Sequence, residues 1–380
     1  MHTQLQKAQR IVIKFGTNVL TNSDGNLALS RIYSFIEDIA QLKKQGKEII
    51  IVTSGAVGLG AKKLKLDETP NLVSIKQACA AVGQGKLMYF YEDGFDKFDI
   101  VTAQILLTED DFSIREKYLS LRDTLSTLLE LGVIPIINQN DTVSPNELRC
   151  YKDNDVKVCF GDNDKLSALV TSELEADLLV ILSDIDGLFD KDPRKEPDAK
   201  LISEVQEITP EIEALGFEAS KKGRGGMKTK LEAAKVVSRS GNYMVITNGK
   251  KPNAITNIFN ENFVGTVFLP TEHLSGKKRW IAYATNVTGS IKVNNGAKKA
   301  LIENGSSLLP AGITHIQNEF YRGDVVSIID ENEEEFAKGI VNYSSAECEK
   351  LIGEHSDNIE KILGYKNYDN LIGRDNIVLV

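Results

Sequence analysis

Ile11-Val12-Ile13-Lys14-Phe15-Gly16-Thr17 is the stretch on which the fold turns. Consecutive β-branched residues suit a strand buried on both faces, because neither face of such a strand needs a polar side chain. The run stops at a lysine and a glycine. Ile49-Ile50-Ile51-Val52 repeats the pattern and ends in Thr53-Ser54-Gly55. Ile100 to Leu106, Val133 to Ile137, Leu178 to Leu182 and Met244 to Thr247 read as further strands. Helical patterns lie between most of them. Leu29, Ile32, Ile36, Ile39 and Leu42 recur at helical spacing, and Gly46 sits where a helix C-cap belongs. Alternating strands and helices of this kind imply an α/β fold with a mainly parallel sheet covered on both faces.

In such sheets ligands bind beyond the carboxyl ends of the strands. Lys14-Phe15-Gly16, Ser54-Gly55, Asn138 to Asp141 and Ser183-Asp184 all fall at those ends. After about Gly265 the texture changes. Gly289 to Val293, Asp324 to Ile329 and Gly339 to Tyr343 read as strands, Ala297 to Asn304 as a short helix, and Glu331 to Glu335 as a solvated hairpin tip. A second, β-rich domain of roughly one hundred residues is expected there.

Composition narrows the function classes. The net charge of −9 argues against general affinity for polyanions, though it leaves room for a local nucleotide pocket. No run approaches the ~20 apolar residues of a membrane helix, and Met1 to Arg10 has no signal-peptide character. Cys79, Cys150, Cys159 and Cys348 form no CxxC pair, so a reduced cytoplasmic chain with incidental thiols is expected. A Cys150–Cys159 pair or metal site is the minor alternative. The four histidines, His2, His273, His315 and His355, are scattered, which disfavours a Ser-His-Asp or Cys-His hydrolase.

The chemistry concentrates in a few motifs. Lys14 after a strand can reach a phosphate, although read alone it is an ordinary solvated edge residue. Thr53 to Gly60 is a glycine-rich turn that fits neither the Walker nor the dinucleotide pattern. Asn138-Gln139-Asn140-Asp141 and Gly161-Asp162-Asn163-Asp164-Lys165 are rich in carboxylates and amides. They suit a substrate with an ammonium and carboxylates, or a Mg²⁺-nucleotide. Helix N-cap chemistry by Asp162 or Asp164 is compatible with either. Gly223-Arg224-Gly225-Gly226-Met227-Lys228-Thr229-Lys230 opens a helical pattern. A glycine loop, a helix N-terminus and lysines together make an anion site, and this is the strongest single signal.

Taken in order, Ile-Lys-Phe-Gly-Thr, Val-Thr-Ser-Gly-Ala, Asn-Gln-Asn-Asp, Gly-Asp-Asn-Asp, Ser-Asp-Ile-Asp-Gly-Leu and Gly-Gly-Met-Lys-Thr-Lys resemble the amino acid kinase superfamily. In wording they resemble its members that act on glutamate. Gly305 to Gly312 and Phe320 to Asp324 resemble the PUA domain that many such members carry. The resemblance implies a three-layer catalytic domain over residues 1–265, a linker over 266–279 and a PUA-like domain over 280–380. It implies ATP and Mg²⁺ as cofactors and L-glutamate as the substrate, phosphorylated on its γ-carboxylate as the first step toward proline. L-proline enters as a candidate feedback inhibitor and a homo-oligomer as the expected assembly.

The same resemblance assigns roles. Lys14 and Lys230 flank the transferring phosphoryl group, and Asp162 holds both through ion pairs. Ser54, Asp141 and Asn163 bind glutamate. Ser183, Asp184 and Arg224, Gly225, Gly226, Met227, Lys228, Thr229 and Lys230 match the nucleotide side, and no residue is assigned to metal. The chain departs from the family's pattern in three places. Arg224 replaces a small residue, Lys228 adds a charge, and the segment from Ser144 to Phe160 is long, as a lid, a modified proline-feedback site or an inert insertion. Sister kinases acting on N-acetylglutamate, aspartate, carbamate or a nucleoside monophosphate would share the phosphate machinery. RNA binding by the tail is disfavoured, because residues 277–380 hold 12 Lys and Arg against 15 Asp and Glu.

Overall fold

A computed structural model describes residues 2–22, 24–66, 72–143, 163–216, 226–271 and 276–380. It divides into two units, Met1–His273 and Leu274–Val380. The strands of the first are β1 (Arg10–Phe15), β2 (Glu48–Val52), β3 (Thr102–Leu107), β4 (Ile134–Gln139), β5 (Leu178–Ser183), β6 (Leu188–Phe189), β7 (Leu201–Ile202), β8 (Glu204–Val205), β9 (Tyr243–Asn248) and β10 (Gly265–Phe268). Eight form one sheet in the order β3-β4-β2-β1-β5-β9-β10-β8, and β6 pairs with β7 apart from it. Pairing is parallel from β3 to β9, β10 runs antiparallel to β9, and β8 runs parallel to β10.

The apolar runs explain this centre. Ile11, Val12, Ile13, Ile49, Ile50, Ile51 and Leu178 to Leu182 are all fully buried, which requires cover on both faces of the sheet and so a three-layer arrangement. The helices that matter for the site are α1 (Leu29–Lys44), α2 (Ala56–Lys63), α3 (Val73–Asp96), α4 (Arg115–Glu130), α5 (Asn163–Glu173) and α6 (Met227–Arg239). Helix α1 buries Ile32, Phe35, Ile36, Ile39 and Leu42, the spaced set seen in sequence. Gly46 follows it at φ +83°, a left-handed position that glycine takes without a Cβ clash. Helices α2 and α3 approach so closely that a Cβ on Gly83 would sit 1.8 Å from the Ala56 carbonyl oxygen.

The chain places β1 in the middle of the sheet, then adds β2 on one side and β5 on the other. Reversal of strand order beside β1 opens a crevice at its carboxyl end. Lys14 lies there, in register with Val52 of β2 and Ile181 of β5.

The second unit is a five-stranded sheet in the order β12-β11-β13-β14-β15. Its strands are β11 (Gly289–Val293), β12 (Ile313–Gln317), β13 (Val325–Ile329), β14 (Glu335–Ile340) and β15 (Ile377–Leu379). Helix α7 (Asn295–Asn304) is capped by Asn294, whose side chain accepts the Ala297 N–H at 2.8 Å, and closed by Gly305 at φ +55°. Ile291, Phe320, Val326, Ile328, Tyr343 and Ile372 form its separate core.

Two expectations change. The boundary at residue 265 and the linker over 266–279 do not match the division at 273, because Gly265–Phe268 pairs with β9 and β8 inside the large sheet. A four-residue strand is too short to show a period. The strand expected over 339–343 runs instead from Glu335, whose carboxylate accepts the Ser327 hydroxyl at 2.5 Å. Its polar alternation was hidden in the acidic run.

Candidate active site

Every polar cluster at the carboxyl edge converges on the end of β1. Lys14 is only 3% exposed and stands on the central strand, where an ammonium group needs a counter-charge. The counter-charge is Asp164, in the first turn of α5. Its Oδ1 lies 2.6 Å from Lys14 Nζ, and its Oδ2 lies 3.1 Å from Lys230 Nζ. Thr229 Oγ1 lies 2.9 Å from the same Oδ2 and 3.0 Å from the Gly226 carbonyl, which share its single O–H. One carboxylate thus fixes two lysines that are 216 residues apart in sequence. Burial by itself would raise the Asp164 pKa, but Lys14 and then Lys230 outweigh it and hold the carboxyl well below the usual carboxylate range.

Helix α6 brings Lys230 into place by an arrangement that is unfavourable without a ligand. Its first turn has no acidic residue, its Gly226 N-cap makes no side-chain cap bond, and Lys228 and Lys230 sit at the positive end of the helix dipole. Each such cation costs about 0.3–1 kcal/mol against the dipole. An anion there would satisfy the open N–H groups and both charges together. Lys230 is buried and Lys228 exposed.

A second set of contacts is built from amides. Asn163 Nδ2 donates to the Thr53 carbonyl at 2.5 Å, to Ser54 Oγ at 3.0 Å and to Asn138 Oδ1 at 3.0 Å. Asn138 Oδ1 also accepts the Gln139 N–H at 2.9 Å, and Asn138 Nδ2 donates to Gln84 Oε1 on α3 at 2.9 Å. Gly55, at φ +96°, turns the chain from Ser54 into α2. Asp141 is half-buried two residues beyond β4. On the far side of β1, Ser183 is buried at the end of β5, and exposed Asp184 accepts from Asn18 Nδ2 at 3.0 Å.

The structure therefore brings Lys14 together with Lys230, and Asn163 together with Ser54. It places Ser183, Asp184, Gly226, Met227, Lys228 and Thr229 on the same edge or at the start of α6. Asp162, Arg224, Gly225 and the Ser144 to Phe160 segment lie outside the described residues. The bridging role expected of Asp162 is carried among the described residues by Asp164. Sequence reasoning assigned Thr229 to the nucleotide side and noted Asn138 within a polar motif without giving it a role, and it passed over Gln84 altogether. Asp164 carried a signal, as the second acid of Gly-Asp-Asn-Asp, and it was read as a helix cap. Cys79 and Cys348 are free and buried, with the Cys348 thiol pushed up to about 12 by desolvation.

Comparison with known proteins identifies the family. Residues 9–248 match the Amino acid kinase family and residues 289–363 match the PUA domain. A glutamate 5-kinase of Caldanaerobacter subterraneus subsp. tengcongensis is 48% identical over 373 residues, 98% of each chain. One from Methanosarcina barkeri is 47% identical over 382 residues, 98% of this chain and 97% of that one. The chain belongs to the glutamate 5-kinase family of amino acid kinases. Among solved structures, a UMP kinase from Ureaplasma parvum aligns with a TM-score of 0.49 at 17% identity, over 69% of this chain and 99% of that one. No described helix is long and apolar enough to cross a membrane.

Proposed function

We propose that this kinase transfers the γ-phosphoryl group of ATP to the side-chain carboxylate of L-glutamate, giving L-glutamyl 5-phosphate. The observation that carries this reading is the pair of buried lysines held on one carboxylate at the carboxyl edge of the sheet. The family match supplies the substrate class.

The acceptor carboxylate has an unperturbed pKa near ~4.3 and is ionised at neutral pH, so attack on phosphorus needs no general base. What the protein must supply is alignment and stabilisation of charge on the transferring group. Lys14 and Lys230 do this from two elements, and Asp164 keeps their ammonium groups at fixed positions before the nucleotide arrives. The N–H groups that open α6 face the same anion. Asn163, Ser54 and Asp141 hold the amino-acid end of glutamate.

Among the described residues no group of three or more His, Cys, Asp or Glu side chains is arranged to hold a metal. Mg²⁺ would enter with the nucleotide as its counter-ion and would supply positive charge to the phosphates. When bound it neutralises charge on the β- and γ-phosphates.

The test is ATP turnover with Mg²⁺, trapping acyl phosphate as hydroxamate, with L-glutamate compared against N-acetylglutamate, L-aspartate and uridine monophosphate. Hydroxamate that depends on glutamate and drops by ~10²-fold or more in Lys230→Ala is expected. Activity confined to another acceptor would overturn the substrate assignment.

A further inference from the structure

The amide cluster has a direction, and that direction ends on a residue to which no role has been given. Its two fixed points are main-chain groups. The Thr53 carbonyl can only accept, so Asn163 must turn its NH₂ toward it. The Gln139 N–H can only donate, so Asn138 must turn its oxygen toward that group. The Asn138 oxygen then also takes the Asn163 NH₂, which leaves the Asn138 NH₂ facing α3. There it meets Gln84 Oε1 at 2.9 Å. Gln84, Asn138 and Asn163 are 8%, 3% and 7% exposed, so these bonds are largely shielded from bulk water.

Two polar atoms of this chain of amides are left over. Asn163 Oδ1 and Gln84 Nε2 are both buried and have no hydrogen-bond partner among the described residues. Buried orphans are uncommon in folded proteins, and at a binding site they mark where a ligand completes the bonding. The two N–H groups of Asn163 are shared among three acceptors, so only its oxygen remains for a ligand. An acceptor suits the α-ammonium of an amino acid.

We propose that Gln84 is a positioning residue for the substrate's α-ammonium. Its Oε1 completes the Asn138 side chain, and Asn138 holds Asn163 with its oxygen presented to the ammonium. Gln84 touches neither ATP nor the phosphoryl group in this role. Removing its acceptor leaves the buried Asn138 NH₂ unsatisfied, and rotation of Asn138 to relieve this takes its oxygen away from Asn163. Asn163, still oriented by the Thr53 carbonyl, then loses one acceptor of its NH₂ and with it part of the restraint that aims its oxygen at the ammonium.

This inference rests on the glutamate kinase reading, and the experiment separates the two. Wild type, Gln84→Met, Gln84→Glu and Asn138→Ser are assayed by glutamate-dependent hydroxamate formation, with KM for glutamate and for ATP determined separately. Gln84→Met keeps the side-chain length and loses the acceptor. A rise of about tenfold in KM for glutamate is expected, with KM for ATP and kcat changed less than ~3-fold. Gln84→Glu retains an acceptor but adds a carboxyl group that burial disfavours in its charged form, so it should recover KM toward wild type, well below the value in Gln84→Met. Asn138→Ser removes the same support from Asn163 and should raise the same KM, which keeps the test decisive if Gln84→Met does not fold. Unchanged KM for glutamate in Gln84→Met or Asn138→Ser overturns the proposal. So does equal damage in Gln84→Met and Gln84→Glu, or a parallel rise in KM for ATP. A wild type inactive on glutamate overturns the functional reading, and the proposal with it.

Discussion

Asp164→Asn tests the centre of the mechanism with the smallest change of shape. Asparagine keeps the oxygen that Thr229 addresses but removes the charge shared by Lys14 and Lys230, at 2.6 and 3.1 Å. At an effective dielectric of about 20, each contact near 3 Å carries roughly 5 kcal/mol of gross Coulomb attraction. Desolvation of the three groups offsets much of that. Asp164 is 0% exposed and the lysines 3% and 7%, so stripping the carboxylate belongs with broken buried pairs, which cost about 3–5 kcal/mol. For a unit of this size that corresponds to a fall in Tm of about 6–20 °C. Activity should fall by ~10²–10³-fold in kcat, the usual cost of losing one preorganised electrostatic group. Far-UV circular dichroism during heating and the hydroxamate assay, run below the variant's own transition, give the two numbers. The pH dependence supplies a sign. The Asp164 carboxyl is depressed in the folded state, so its contribution is fully present above the unfolded pKa of ~3.9 and is lost as pH falls through the folded value. Wild type should therefore lose stability below about pH 4 by a component absent from Asp164→Asn. A variant with Tm within ~2 °C of wild type and kcat within ~3-fold would refute the reasoning.

Two further outcomes follow from the scaffold. Gly83→Ala places a methyl group 1.8 Å from the Ala56 carbonyl oxygen, so α2 and α3 must separate. A loss of about 3 kcal/mol is expected by chemical denaturation, with KM for glutamate raised because α2 begins directly after Ser54-Gly55. Asp38, buried on α1, is pushed up to about 6 by desolvation, which outweighs the Thr256 and Ile255 N–H groups. A raised folded pKa means that stability is lost as pH rises from the unfolded pKa of ~3.9 through about 6. Asp38→Asn should match wild type in Tm near pH 4 and exceed it above pH 7, and equal Tm differences at both pH values would contradict this assignment.

Much of this arrangement was legible beforehand because it is local. Consecutive β-branched residues at Ile11 to Ile13 and Ile49 to Val52 mark strands buried on both faces, and their polar ends mark the edge where a ligand binds. Helical spacing from Leu29 to Leu42, closed by Gly46, marks α1. Short or half-exposed strands escaped. Glu204–Val205 and Gly265–Phe268 have too few residues to show a period, and Glu335–Ile340 opens inside an acidic run. Such strands form because neighbouring strands offer them hydrogen bonds, a condition no local pattern records.

The site divides along the same line. Sequence alone determined the chemical inventory: a lysine at the end of β1, amides and acids at the end of β4 and the start of α5, and a lysine-rich glycine loop opening α6. It did not determine which acid meets which lysine. Asp162 and Asp164 are equally acidic and two residues apart, and only tertiary structure sets Asp164 against Lys14, 150 residues away, and Lys230, 66 residues away. Nor did any motif single out Gln84, which looks like one polar residue on an ordinary helix until β4 places Asn138 beside it. Ion pairs and hydrogen bonds depend on separations of about 3 Å in space, and the order of residues along a chain carries that information only after the sheet has closed.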